Sequence, residues 1–202
     1  MSLERASRFA VAWAFAPSED EAAPEVVRLT RERTAARAGC RWISDGRRIY
    51  RRAIGRIYRD PQHTGKRGRP RLLPTVGVGL VQAVKRRQGG RLVRVEVRPR
   101  FGQVPQCPYT VCVERLNGVL RDRLGCLTRK THAFAKQVPS WDAAVTLCLF
   151  EHNWMRPLRA LREVAPDPST GRRYRQRSPA MVLGLSHHLW SWTEFLSQPS
   201  MG

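Results

Sequence analysis

Sixteen carboxylates stand among 37 lysines and arginines in this chain of 202 residues, so the placed acids are the first candidates for chemistry. Asp45 follows the short run Cys40–Ser44 and precedes Gly46, where a strand is expected to end and a turn to begin. Open α/β sheets hold their ligand groups just beyond the carboxyl ends of strands, which makes Asp45 a candidate binding group. Glu114 falls in the first turn of an expected helix. At about 100° per residue it shares a strip with Asn117 and Arg121, beside a stripe of leucines. Such a strip can look into a cleft; its ordinary role is a solvated face, with Glu114 favoured by the helix dipole. His152, His187 and His188 have no carboxylate or cysteine at a convincing ligand spacing, and packing or capping is expected of them. Trp141, Trp154, Trp190 and Trp192 are expected to form core between the terminal helices rather than stacking platforms.

The elements that must position these groups follow from periodicity. Residues 8–16 alternate, with Phe9, Val11, Trp13 and Phe15 on one face and alanines on the other, as in a strand that packs closely. A helix is expected from Pro24 to about Gly39, a short strand over 40–44, and a basic helix-like stretch to Arg59. Residues 60–75 read as a cationic linker and 76–87 as a helix. Residues 91–98 alternate, with Val93, Val95 and Val97 inward, and end at Pro99. From Thr110, a candidate N-cap, Val113, Leu116, Leu120, Leu124 and Leu127 form one helical stripe. Further helices are expected from Ser140 to about Trp154, after Ser178-Pro179, and after Ser191 with Glu194 as a capping box. This order describes an α/β sheet with helices gathered at the C-terminal end.

Composition narrows the partners. The formal charge is +21 and the pI about 11.5, an excess that favours a polyanion and points to nucleic acid. Lysine occurs only at 66, 85, 130 and 136, so the cations are almost all arginine, suited to bidentate phosphate contact. With 42% hydrophobic residues the chain can bury a core. It has no run of 18 apolar residues, and its first residues lack the layout of a secretory signal. The expectation is therefore a cytoplasmic, nucleoid-associated protein with neither a membrane nor a small-molecule substrate as partner. The five cysteines contain no C-x-x-C, and reduced thiols are expected.

Three segments carry a family resemblance: WISDGRRIY (Trp42–Tyr50), VERLNGVLRDRLGCLTRKTHAFAK (Val113–Lys136) and HNWMRPLRALR (His152–Arg162). With the tail SPAMVLGLSHHLWSWTEFL (Ser178–Leu196), the chain resembles bacterial insertion-sequence transposases of the acidic-triad (DDE) class, close to the insertion-sequence-one type. The resemblance implies a ribonuclease-H-like, integrase-like mixed sheet flanked by helices. Its catalytic core would span 1–137, with a basic insertion over about 60–90, and residues 138–202 would form a helical C-terminal part. It further implies DNA transposition: three carboxylates hold Mg²⁺ or Mn²⁺ and a 3′-hydroxyl end is joined to target DNA. Asp45 then stands as the second acid and Glu114 as the third, 69 residues apart (45 to 114). The first is placed at Glu4, four residues before Arg8, where the family has D-x-x-x-R. Glutamate for aspartate moves a carboxylate by over ~1 Å, which can cost ~100-fold in rate. An exposed glutamate paired to a nearby arginine is the ordinary role of such a residue. The expectation is a truncated transposase copy lacking part of its first strand and an upstream DNA-binding module.

The implied partners are transposon ends and target DNA, with a homodimer at those ends. Arg121, Arg129, Lys130 and Lys136 would hold a strand near the acids, or form a solvated basic face. The segment Gly65-Lys66-Arg67-Gly68-Arg69-Pro70-Arg71 resembles an AT-hook, whose arginines (with Lys66) enter a narrow minor groove. The same residues also suit a basic loop that grips phosphate without sequence preference. Two other functions accommodate the charge: a non-catalytic DNA-binding derivative, and an RNA-binding protein of ribosomal type, which leaves the placed acids unexplained.

Overall fold

The computed structural model describes residues 1–34, 39–62, 65, 68–103, 108–128, 132, 137–165, 171 and 173–198. They form a mixed α/β protein with helices and several small sheets. Two compact units are separable: residues 1–2 with 11–114, and residues 3–10 with 115–202. Strands β1 (Ser2–Leu3) and β2 (Ala10–Ala12) form a two-stranded sheet. The expected strand over 8–16 is thus only three residues long, and it is its alanines, Ala10 and Ala12, that are buried.

In the first unit, α1 (Glu19–Thr34) starts five residues before Pro24. Ser18 supplies the reason: its Oγ accepts from the Glu21 N–H at 3.3 Å and donates to the Glu21 carboxylate at 2.8 Å. Glu19, Asp20 and Glu21 then occupy the first turn, where the helix dipole favours anions. Pro24 lies early in the helix, where its missing N–H forgoes a single bond. Next come β3 (Arg41–Ser44) and α2 (Arg48–Ile57). The residues expected to be a linker instead include two strands, β4 (Arg59–Gln62) and β5 (Arg71–Pro74), paired antiparallel with Gln62 opposite Arg71.

The expected helix over 76–87 is a strand, β6 (Gly79–Gln88), paired antiparallel with β7 (Arg91–Phe101). Gly89 and Gly90 join them with φ of 55° and 80°, the left-handed pair of a tight hairpin that glycines adopt without strain. That dipeptide and the glycines at 77 and 79 outweigh an apolar run that periodicity alone leaves ambiguous. β3 lies parallel to β6 on its other side, giving the order β3-β6-β7. Because β7 is an edge strand, Pro99 is tolerated inside it. Val93 and Val97, expected inward, are exposed.

Val27, Ala53, Ile54, Tyr58, Val78 and Leu80 form the unit's core, with Trp42, Tyr50 and Phe101 against it. Full burial of Ile54 or Leu80 contributes about 2 kcal/mol each. The backbones of Val78–Gly79 and Gly102–Gln103 approach too closely for a side chain at either glycine: a Cβ on Gly79 would lie 2.0 Å from the Gln103 carbonyl oxygen. Helix α3 (Val111–Arg123) then carries the chain into the second unit, where Leu116 and Leu120 of the leucine stripe are buried.

The second unit is built on α4 (Val138–Phe150), which runs into a single π turn over Glu151–Met155. The turn places His152 and Asn153 against residues 8–10. Asn153 Oδ1 accepts from the Ala10 N–H at 2.8 Å and its Nδ2 donates to the Ala10 carbonyl at 3.0 Å; His152 Nε2 donates to the Arg8 carbonyl at 3.0 Å. His152 is therefore a buried structural histidine, and burial lowers its pKa. β8 (Glu163–Val164) and β9 (Tyr174–Arg175) form a short ribbon. Ser178 caps α5 (Pro179–Val182), and Ser191 with Glu194 makes the expected capping box on α6 (Trp192–Leu196). His188 bonds to Glu194 and stacks on Trp190. Trp154 and Trp190, half-buried, pack with Phe9, Phe150 and Phe195, whereas Trp192, expected in the core with them, is exposed.

Candidate functional site

Past Ser44 the chain leaves β3 through Asp45 and Gly46, while β6 continues beyond the residues that β3 covers. The uncovered edge of β6 and the start of α3 bound an open cleft of about 380 Å³, lined by Asp45, Gly46, Arg47, Ala83, Val84, Lys85, Thr110 and Glu114. Two of the three acids singled out from the sequence therefore share one cleft at the carboxyl end of a strand. Glu4 belongs to the second unit. Its carboxylate accepts from the N–H of Ala6 at 3.0 Å and from the N–H and hydroxyl of Ser7 at 2.6 and 2.5 Å. Those bonds give it a role in holding its own turn.

Each wall has a local cause. Asp45 Oδ1 accepts from the Arg47 N–H at 3.1 Å, the usual aspartate turn that precedes a helix. Gly46 is required by proximity, since a Cβ there would lie 2.9 Å from Val84 Cγ2. Behind the turn, buried Gln82 donates to the carbonyls of Asp45 (2.8 Å) and Arg47 (2.9 Å), and Arg100 donates to its Oε1 at 2.8 Å. Glu19 accepts from the Tyr50 hydroxyl and pairs with Arg47, anchoring the cleft's arginine to α1.

Glu114 is held from two sides. Lys85 Nζ donates to both carboxylate oxygens at 2.5 Å, and the Thr110 hydroxyl, expected to cap the helix backbone, donates to Oε1 at 2.6 Å. The Lys85 and Thr110 bonds together keep the Glu114 carboxyl below the ordinary carboxylate range. A carboxylate with a depressed pKa contributes stability above its unfolded-state pKa and loses it as pH falls through the folded value. Carboxyl-resolved NMR titration is therefore expected to give Glu114 a midpoint below that of a free glutamate, and Lys85→Met to move it upward. A midpoint unchanged by Lys85→Met would rule out the pairing in solution.

Sequence reasoning missed Lys85 and Gln82 because it took their segment for a helix. Both left signals: Lys85 is one of four lysines in the chain, and Gln82 interrupts an apolar run, as buried hydrogen-bonding groups do. Among the cations expected to hold DNA, Arg69, Arg71 and Arg121 are exposed. Arg69 leads into β5, and Gly65 and Gly68 have φ of 73° and 128°. Lys66, Arg67, Arg129, Lys130 and Lys136 lie outside the described residues.

Among the described residues, no group of three or more His, Cys, Asp or Glu is arranged to hold a metal ion. The donor set of the cleft is two carboxylates. Both oxygens of Glu114 are bonded to Lys85, and Oδ1 of Asp45 accepts from the Arg47 N–H. The two carboxylates do not make the three-carboxylate set that the resemblance implies. Among the described residues, Cys40, Cys126 and Cys148 are free thiols. Also among the described residues, no helix is long and apolar enough to cross a membrane. Comparison of the chain with models of protein families, with curated proteins and with solved structures found no match.

Proposed function

We propose that this chain is a transposase-class protein of the acidic-triad type, with a ribonuclease-H-like core whose cleft acts on DNA phosphodiesters. The observation that carries the reading is the meeting of Asp45 and Glu114 in one cleft, at the end of β3, in an otherwise strongly basic chain. Acids placed beside a polyanion are costly unless something cationic joins them to it. Asp45 and Glu114 would hold a divalent cation, Mg²⁺ or Mn²⁺, which supplies positive charge to the phosphoryl oxygens and acidity to a bound water or 3′-hydroxyl.

The protein's own groups have separable parts. Lys85, within reach of Glu114, is placed to shift its ammonium to a phosphate oxygen, freeing the carboxylate as DNA arrives. Arg47 lines the same cleft and offers a bidentate phosphate contact. Gln82 and Gly46 keep the Asp45 turn against β6. In the displacement, the attacking oxygen gives up its proton and bonds to phosphorus, the opposite P–O bond breaks, and the leaving oxygen is protonated. Arg48, Arg51, Arg52 and Arg56, exposed along one side of α2, form no ion pair among the described residues and would bind the neighbouring backbone phosphates.

A second reading, a non-catalytic DNA-binding derivative, is favoured by one observation: Lys85 already neutralises Glu114. Manganese-supported nicking of supercoiled DNA separates the two. Wild type is expected to nick and Asp45→Asn to remain at background; equal rates in both would overturn the catalytic reading.

A further inference from the structure

β3 covers β6 only over Gly79–Gln82. Beyond that point β6 and β7 continue as a two-stranded ribbon, residues 83–88 against 91–97, closed by Gly89-Gly90. Six residues at about 3.3 Å each give it a length of roughly 20 Å. Its chemistry is unusual for a structural hairpin. Arg86, Arg87, Arg91 and Arg94 are all exposed, as are Leu92, Val93 and Val97. Arg86 faces Arg94 directly across the ladder, an arrangement of like charges that destabilises a strand pair.

Glu96, the ribbon's acid, is shared by Arg86 at 3.0 Å and Arg98 at 2.9 Å. Arg87, Arg91 and Arg94 form no ion pair among the described residues. A register shift between Arg86 and Arg87 leaves Val93 as an extra residue near the tip, where a bulge re-aims side chains. A projecting ribbon with exposed aliphatic residues and arginines outside ion pairs, of which Arg87 donates only to the Gly90 carbonyl at 3.1 Å, is poorly stabilised alone. It is complementary to a concave, apolar-floored polyanion.

We infer that this β-ribbon is a DNA-binding arm that enters the major groove of duplex DNA, with Arg87, Arg91 and Arg94 on the phosphates and Leu92 and Val93 against base edges. The major groove is wide enough to admit a two-stranded ribbon, and thymine methyl groups there accept aliphatic contact. Lys85 connects the ribbon to the cleft through Glu114, so an arm seated in the groove directs an adjoining phosphate toward Asp45. The inference rests on the reading of the chain as a DNA-acting protein, but not on its being catalytic.

The test is equilibrium binding of the full chain to a 30-base-pair duplex in EDTA, as a function of salt. Replacing Arg87, Arg91 and Arg94 together by glutamine is expected to reduce the slope of log K against log salt by about 2 to 3. Leu92→Ser with Val93→Ser is expected to weaken binding several-fold with the slope unchanged. Because EDTA withholds any divalent cation, the measurement reads binding alone, and failure of the cleavage reading leaves this result intact. Without DNA, Arg94→Gln is expected to keep or raise the thermal midpoint, since it removes a facing charge, which separates lost contact from lost folding. An unchanged slope in the triple variant, or serine substitutions without effect, would overturn the arm. Preference for single-stranded RNA over the duplex would assign the ribbon to a different polymer and overturn it equally.

Discussion

Manganese-dependent strand cleavage is expected to fall by about a hundredfold or more in Asp45→Asn, and by a similar factor in Glu114→Gln. Loss even of groups that orient a metal ligand lowers metal affinity or activity 10- to 100-fold as a rule, so loss of a ligand itself sits at or beyond that range. Residues acting as one unit are not additive, and the double variant is expected to be no slower than the more damaged single one. Lys85→Gln decides how the ion pair at Glu114 operates. If Lys85 yields to phosphate during the reaction, the variant loses phosphate affinity and cleaves more slowly. If Lys85 quenches the site, cleavage appears only in the variant. Plasmid nicking at fixed protein and Mn²⁺ concentration, with duplex binding measured in parallel, reads both outcomes. Equal cleavage by wild type, Asp45→Asn and Glu114→Gln would remove the cleft from the chemistry.

Gly79→Ala is expected to destabilise the first unit by about 3 kcal/mol or more, at the upper end for overpacking, because the added carbon meets backbone rather than a movable side chain. The Gln103 carbonyl oxygen lies 2.0 Å from where that Cβ would be, and Gly79 is the first β6 residue paired to β3. Gly55→Ala has the opposite sign. A Cβ at Gly55 meets nothing within 4 Å and the residue lies inside α2, so helix propensity predicts a gain of about 0.5–1 kcal/mol. Urea denaturation of both variants checks the pair: a shared direction of change would refute the packing described for 78–79 and 102–103. Gln82→Leu acts on the same strand through polarity. It leaves Arg100 without its acceptor and two carbonyls without their donor, for an expected loss of about 2–4 kcal/mol, read by the same denaturation.

Local chemistry made part of this protein legible from its residues alone. Asp45 at a strand end, Glu114 in a first helical turn, the leucine stripe at Leu116 and Leu120, and the caps at Ser178 and Ser191 all follow from short-range preferences that the structure keeps. Where two local rules competed, the reading failed. Pro24 reads as a helix start although Ser18 and three acids supply a better one, and residues 76–87 read as a helix although Gly89-Gly90 closes a hairpin there. Val93 and Val97 show a different limit: alternation specifies two faces of a strand but not which face finds a partner, and at an edge the valines face solvent.

The charge, the acids and the turns that present them can be read from the residues in order, because they depend on side-chain chemistry and on a few adjacent dihedral angles. That Asp45 and Glu114 share a cleft, that Lys85 holds Glu114, and that Glu4 is bonded within its own turn emerge from the folded chain. Such meetings depend on strand order and register across many residues of chain, where loop closure and packing, rather than local preference, select the partner.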